Sequence, residues 1–136
     1  MERVYIMYGN DPKKLVSAIL KEMNIIEDLK KLRKPLIAIK PNLVVPQPAE
    51  WGATTSPELV AGVISFLQEA GFGNIMIIES SWIGDDTKEA FKVCGFERIS
   101  KTYGVPLFDL KEDHYLEVMV EDETIQVCQK ALVADY

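Results

Sequence analysis

Three short runs of nearly unbroken apolar residues, within "LIAIKPN" (36–42), "NIMIIES" (74–80) and "VPLFDL" (105–110), are separated by stretches of helical periodicity. That alternation restricts the fold more than any other feature of the chain. A strand covered on one face alternates apolar and polar residues, whereas a strand covered on both faces reads as a continuous apolar run. Repeated strand–helix–strand units of this kind imply parallel strands joined by right-handed crossovers, with helices on both faces of the sheet. An earlier run, "VYIMYG" at 4–9, reads as a further strand of the same sheet.

The intervening segments carry helix signals. Asp11 and Pro12 open a helix whose Leu15, Ile19, Met23 and Ile26 recur on one side, so that this stripe is expected to face the core. It should fade near residues 29–33, where Lys30, Lys31, Arg33 and Lys34 suit the negative end of a helix dipole. A second helix begins at "SPELVAGVISFLQEAG" (56–71), with Ser56 as N-cap or Thr55 and Glu58 as a capping box, and stops at Gly71. "DDTKEAFKVCG" is a shorter helix capped by Asp85 or Asp86 and closed by Gly95, and a further helical stretch ends at Gly104. From Tyr115 the period changes to two and resumes after an acidic turn, the pattern of a half-exposed antiparallel hairpin. The expected architecture is therefore α/β: three layers, a mostly parallel sheet with helices on both faces, and a C-terminal antiparallel β-hairpin. No repeat or linker divides residues 1–136, which read as one domain.

Composition narrows the function. A chain of 136 residues with 48% hydrophobic residues buries an ordinary core, and its net charge of -6 argues against nucleic acid, whose phosphates need clustered Lys and Arg. Cys94 and Cys128 have no CxxC spacing and no histidine cluster beside them, so neither a zinc site nor an iron–sulfur cluster is expected within this chain, and no metal ligands are assigned. No apolar stretch approaches a membrane span, and a cytoplasmic protein is expected.

In an open parallel sheet, ligands bind outside the carboxyl ends of the strands. That rule collects Lys40 and Asn42 at one strand end, Glu79 and Ser80 at the next, and Asp109 and Lys111 at the last. The long Pro-rich loop leaves the same edge and enters a helix through Thr54, Thr55 and Ser56, where free N–H groups and hydroxyls suit a phosphate or carboxylate. The same three residues serve equally as helix caps. Lys40 is either solvated or aimed into a cleft, and Glu79 and Asp85 are candidates to pair with it, to take a cation, or to act as acid and base. Trp51 and Trp82, in loops leaving this edge, are candidates for a ligand lid or an interface. His114 lacks a ligand partner and reads as a solvated loop residue, and no glycine-rich nucleotide fingerprint is present. No catalytic residue can be assigned.

Together, "LIAIKPNLVVPQPAEWGATTSPELVAGVISFLQEAG", "IMIIESSWIGDDTKEAFKVCGF" and "YGVPLFDL" resemble the N-terminal half of the family known as domain of unknown function 362, over roughly residues 36–136. Its members are often joined to ferredoxin-like iron–sulfur modules, so the resemblance implies a redox neighbourhood without naming a reaction. The chain departs from the family in lacking a cluster-binding cysteine motif and in having Glu79 where an Asp is more usual. "CQKALVADY" is similar to the approach to the family's next central strand, which implies either a longer natural protein or a partner that supplies the missing face.

Two functions follow as expectations. One is binding of a small anionic ligand at the strand ends, in an iron–sulfur-associated setting. The other is a non-catalytic binding or assembly module, or an inactive fragment, acting through a homodimer or an iron–sulfur partner domain.

Overall fold

The structure is a computed structural model that describes residues 3–136. Strands β1 (Ile37–Ile39), β2 (Ile75–Glu79) and β3 (Leu107–Asp109) form a parallel sheet in that order, with Ile37 opposite Ile75 and Ile77 opposite Leu107. The central strand β2 is buried at every position, which is why its sequence is a continuous apolar run. Helices α1 (Pro12–Glu22) and α2 (Ile25–Leu29) precede β1. Helix α3 (Pro57–Glu69) connects β1 to β2, and α4 (Thr87–Val93) with α5 (Phe96–Tyr103) connects β2 to β3. The hairpin β4 (Tyr115–Val120) and β5 (Glu123–Cys128) follows, and then the short α6 (Gln129–Leu132).

Alternation along the strands divides the interior in two. Ile37, Ile75 and Ile77 pack with Leu29, Ile64, Phe91, Phe96 and Ile99 from the helices, which forms the main core. Met76 and Ile78 point the other way, toward Leu110, Phe108, Ala38, Cys128 and Ala134. Each fully buried Leu, Ile or Phe contributes about 1.5–3 kcal/mol relative to exposure, so the helical face supplies most of the driving force. Helices α1 and α3 approach closely because Gly62 has no side chain: a Cβ there would lie 3.3 Å from both Lys13 Cα and Val16 Cβ.

Several expectations need correction. Residues 4–9 are not a strand of the sheet; the segment has no strand partner, and Val4, Ile6 and Tyr8 are exposed. The first helical stripe is also broken. Asn24 adopts φ 55, a left-handed conformation that asparagine tolerates, so α1 ends and α2 begins, burying Val16, Ile25 and Leu29 instead of Met23. Of the two candidate caps of α4, Asp86 serves, accepting from Glu89 N at 2.9 Å. Ser56 occupies the N-cap position of α3 without making a side-chain cap bond. The hairpin forms with the antiparallel register Val118 opposite Ile125, but most of its residues are exposed on both of its faces.

Candidate functional site

The parallel register brings the ends of the strands together. Glu79 is opposite Asp109, and the chain beyond Ile39 runs beside the end of β2. Glu79 is only 2% exposed, and a carboxylate there would be costly without partners. It has four bonds. Its Oε1 accepts from Ser80 N at 2.7 Å and from Lys40 Nζ at 2.9 Å. Its Oε2 accepts from Leu43 N at 3.1 Å and from Lys40 Nζ at 3.2 Å. This one side chain therefore fixes the turn after β2, the start of the long loop after β1, and the position of an ammonium group. The Lys40 side chain remains 53% exposed, so a cation is held at the sheet edge with access to solvent.

The loop after β1 closes on itself at its base. Asn42 N donates to Thr55 Oγ1 at 2.9 Å, Thr55 N donates to Asn42 O at 2.8 Å, and Asn42 Nδ2 donates to Ala53 O at 3.1 Å. A bridge between Leu43 and Thr54 extends this pairing, and Thr54 Oγ1 donates to Gln47 O at 3.0 Å. The hydroxyls of Thr54 and Thr55 thus hold the loop closed, which explains how so long a connection stays ordered. Ser56 Oγ bonds Glu58 at 2.8 Å, and this bond, chiefly, holds the Glu58 carboxyl below its ordinary range. Trp51 lies in a 3-10 turn at Ala49–Trp51, exposed on the loop.

The loop after β2 is organised by a lysine to which the sequence reading gave no role. Lys111 Nζ donates to Ser81 Oγ at 2.9 Å, Trp82 O at 2.7 Å and Asp85 O at 2.6 Å. Ser81 and Thr87 are buried, and Ser81 N donates to Thr87 Oγ1 at 3.1 Å. The signal in the sequence was faint: a cation just beyond the last parallel strand, and two small hydroxyl residues six apart. Asp85 enters this network through its backbone carbonyl and is not a partner of Lys40. Trp82 N donates to Val44 O at 2.8 Å, which ties the two loops together, while the indole is 69% exposed.

The predicted residues therefore divide. Lys40, Glu79 and Ser80 meet directly, Asn42 adjoins them through Leu43, and Trp82 adjoins them through Val44. An open cleft of about 540 Å³ runs beside them, lined by Val44, Ser80, Ser81, Trp82 and Ile83. Thr54, Thr55 and Ser56 are engaged within their own loop and helix start. No group of His, Cys, Asp and Glu among the described residues is arranged to hold a metal ion. The two cysteines do not fit an iron–sulfur cluster: Cys94 is buried with its Sγ 3.1 Å from Gln47 O, and Cys128 packs on the opposite face of the sheet.

These features define an α/β domain with an ordered polar edge at the carboxyl ends of its parallel strands. The chain belongs to the family described as a domain of unknown function (DUF362), whose profile matches residues 37–136. Comparisons with curated proteins and with solved structures gave no match. No helix among the described residues is long and apolar enough to cross a membrane.

Proposed function

We propose that this domain binds a small anion, a phosphate or a carboxylate, at the carboxyl edge of its parallel strands, with Lys40 as the principal contact. The observation that carries this reading is the Lys40–Glu79 pair. A fully buried carboxylate, itself fixed by two backbone N–H groups, holds a half-exposed ammonium in one place. An ammonium has three donors, and holding it in place lowers the entropic cost of ordering it around a ligand. Exposed Ser80 offers its hydroxyl as a neutral donor beside Glu79, while Asn42, whose side-chain amide already donates to Ala53 O, has one Nδ2 hydrogen left. The family resemblance supports a redox or iron–sulfur-associated setting, and the two free thiols, Cys94 and Cys128, support a reducing compartment such as the cytoplasm.

Titration of inorganic phosphate, and separately of a dicarboxylate, against tryptophan fluorescence tests the reading. The wild type should give a saturable change that Lys40→Met weakens at least about tenfold, the loss of one charge-assisted contact. Equal responses from the two proteins would remove Lys40 from the site. A second reading, a non-catalytic module that docks a partner such as an iron–sulfur domain, is favoured by the exposure of Trp51, Trp82 and Ile83. Under it, Trp82→Ala abolishes partner capture while leaving the anion affinity, measured by isothermal titration calorimetry, unchanged.

A further inference from the structure

The free edge of β3 and the N-terminal segment each have a pairing capacity that no other described residue uses. Ile77 N donates to Pro106 O at 2.9 Å, so Pro106 directs its carbonyl toward β2. Strand alternation then turns Phe108 toward β2 as well, and turns the backbone groups of Leu107 and Asp109 away from the sheet. On that outer side lies a cleft of about 420 Å³, lined by consecutive β3 residues Leu107, Phe108 and Asp109. Its walls come from both faces of the sheet: Lys88, Phe91 and Glu97 from α4 and α5 on one side, Asp113 and Lys130 on the other. A groove with a strand edge as its floor and apolar and charged side chains as its walls is the geometry that accepts an added strand.

Residues 3–9, "RVYIMYG", have the composition of a strand and make no backbone hydrogen bond to any other described residue. Val4, Ile6 and Tyr8 are 86%, 68% and 91% exposed while Tyr5 and Met7 are half-buried, so one side of the segment is presented to solvent. The other edge of the sheet is already covered, since Ala38 N donates to Tyr136 O and Asp135 N donates to Leu36 O, each at 2.9 Å. The groove carries four carboxylates, Glu97, Asp109, Glu112 and Asp113, against the ammonium groups of Lys88 and Lys130; within residues 3–9 the one charge is Arg3, and Glu2 precedes it in the sequence.

We infer that residues 3–9 of a second copy of this chain add to the free edge of β3, so that two copies exchange N-terminal strands. Each exchange supplies backbone bonds to Leu107 and to the Asp109 N–H, the Asp109 carbonyl being used by the 3-10 turn at Leu110–Glu112, and covers the exposed side of the arriving segment. The proposal is independent of the anion site, which lies at the strand ends.

Light scattering after size-exclusion chromatography, over a range of concentrations, measures the assembly directly. The full chain should run as a dimer, and Ile6→Pro, which removes a strand N–H in an exposed segment, should run as a monomer with unchanged circular dichroism. A synthetic peptide of residues 3–9 should convert the wild type to monomer, while the same peptide carrying Ile6→Pro should not. Hydrogen exchange at the Leu107 and Asp109 amides should slow in the dimer and return to its faster rate in the variant. A wild type that stays monomeric overturns the proposal, including the case in which the segment pairs within its own chain. A dimer that survives both Ile6→Pro and the peptide overturns it as well, and points to the exposed hairpin as the contact.

Discussion

The two faces of the parallel sheet are stabilised very differently. On one, Ile37, Ile75 and Ile77 meet residues of α2, α3, α4 and α5 in a continuous core that includes fully buried Phe96, Leu29 and Ile64. On the other, Met76, Ile78 and Leu110 are covered by Phe108, the root of the hairpin and the segment after α6. Beyond that root the hairpin extends with Met119, Val120 and Ile125 exposed. A two-stranded hairpin is marginal by itself, so β4 and β5 depend on their attachment at Cys128 and on the bond from Gln129 N to His114 O at 2.8 Å. Stability is thus concentrated on the helical face, while pairing capacity is left at the open edges.

The contrast is broken most directly by truncating one residue on each side. Phe96→Ala leaves a cavity within the helical core, and a loss of about 3–5 kcal/mol is expected from denaturant unfolding. Ile125→Ala in the hairpin should cost no more than about 1 kcal/mol, because Ile125 is half-exposed and loses only its cross-strand contact with Val118. Comparable losses from the two substitutions would mean that the hairpin is buried in solution, either by a partner or by a second copy.

Glu79 is the next largest effect, because it joins the core to the candidate site. Glu79→Leu strands the N–H groups of Leu43 and Ser80 and should cost about 2–4 kcal/mol, whereas Glu79→Gln, which keeps an acceptor, should cost about 1–2 kcal/mol. A Leu variant as stable as the Gln variant would show that water replaces the lost acceptor. A smaller cost, about 1 kcal/mol, is expected for Gly104→Ala. Gly104 ends α5 with φ 66, and a Cβ there would meet nothing within 4 Å, so only the left-handed backbone opposes the change.

The parallel sheet was legible because buried strands and amphipathic helices impose patterns that local residues carry by themselves. Continuous apolar runs marked β1, β2 and β3, and the glycines after α4 and α5 marked the helix ends. Residues 4–9 were misread for the same reason: strand composition reports the capacity to pair, while pairing depends on a partner that local pattern does not specify. The meeting of Lys40 with Glu79 was foreseen as one of several options, since strand ends in a parallel sheet converge. The use of Thr54 and Thr55 to close their loop was not, because a hydroxyl before a helix looks the same whether it caps, binds or staples. Lys111 was placed at the strand ends, but its role was not foreseen because its partners are two backbone carbonyls and a serine, which leave no charge complementarity in the sequence.

The smallest expected effect tests the rim of the helical face. Glu58, in the first turn of α3, has its carboxyl held below its ordinary value of 4.5, first by the Ser56 hydroxyl, then by its own backbone N–H, and also by Arg98. Folding lowers this pKa, so the ionised form stabilises the native state. That contribution is fully present above about pH 4.5 and is lost as the pH falls through the lower folded value. The difference in melting temperature between the wild type and Glu58→Gln should therefore be constant at neutral pH and shrink in acid below that point. Ser56→Ala, which removes the leading cause, should shift this change toward higher pH. A difference that stays the same down to pH 3 would show that Glu58 makes no ionisation-dependent contribution, and that the start of α3 rests on Pro57 and on packing alone.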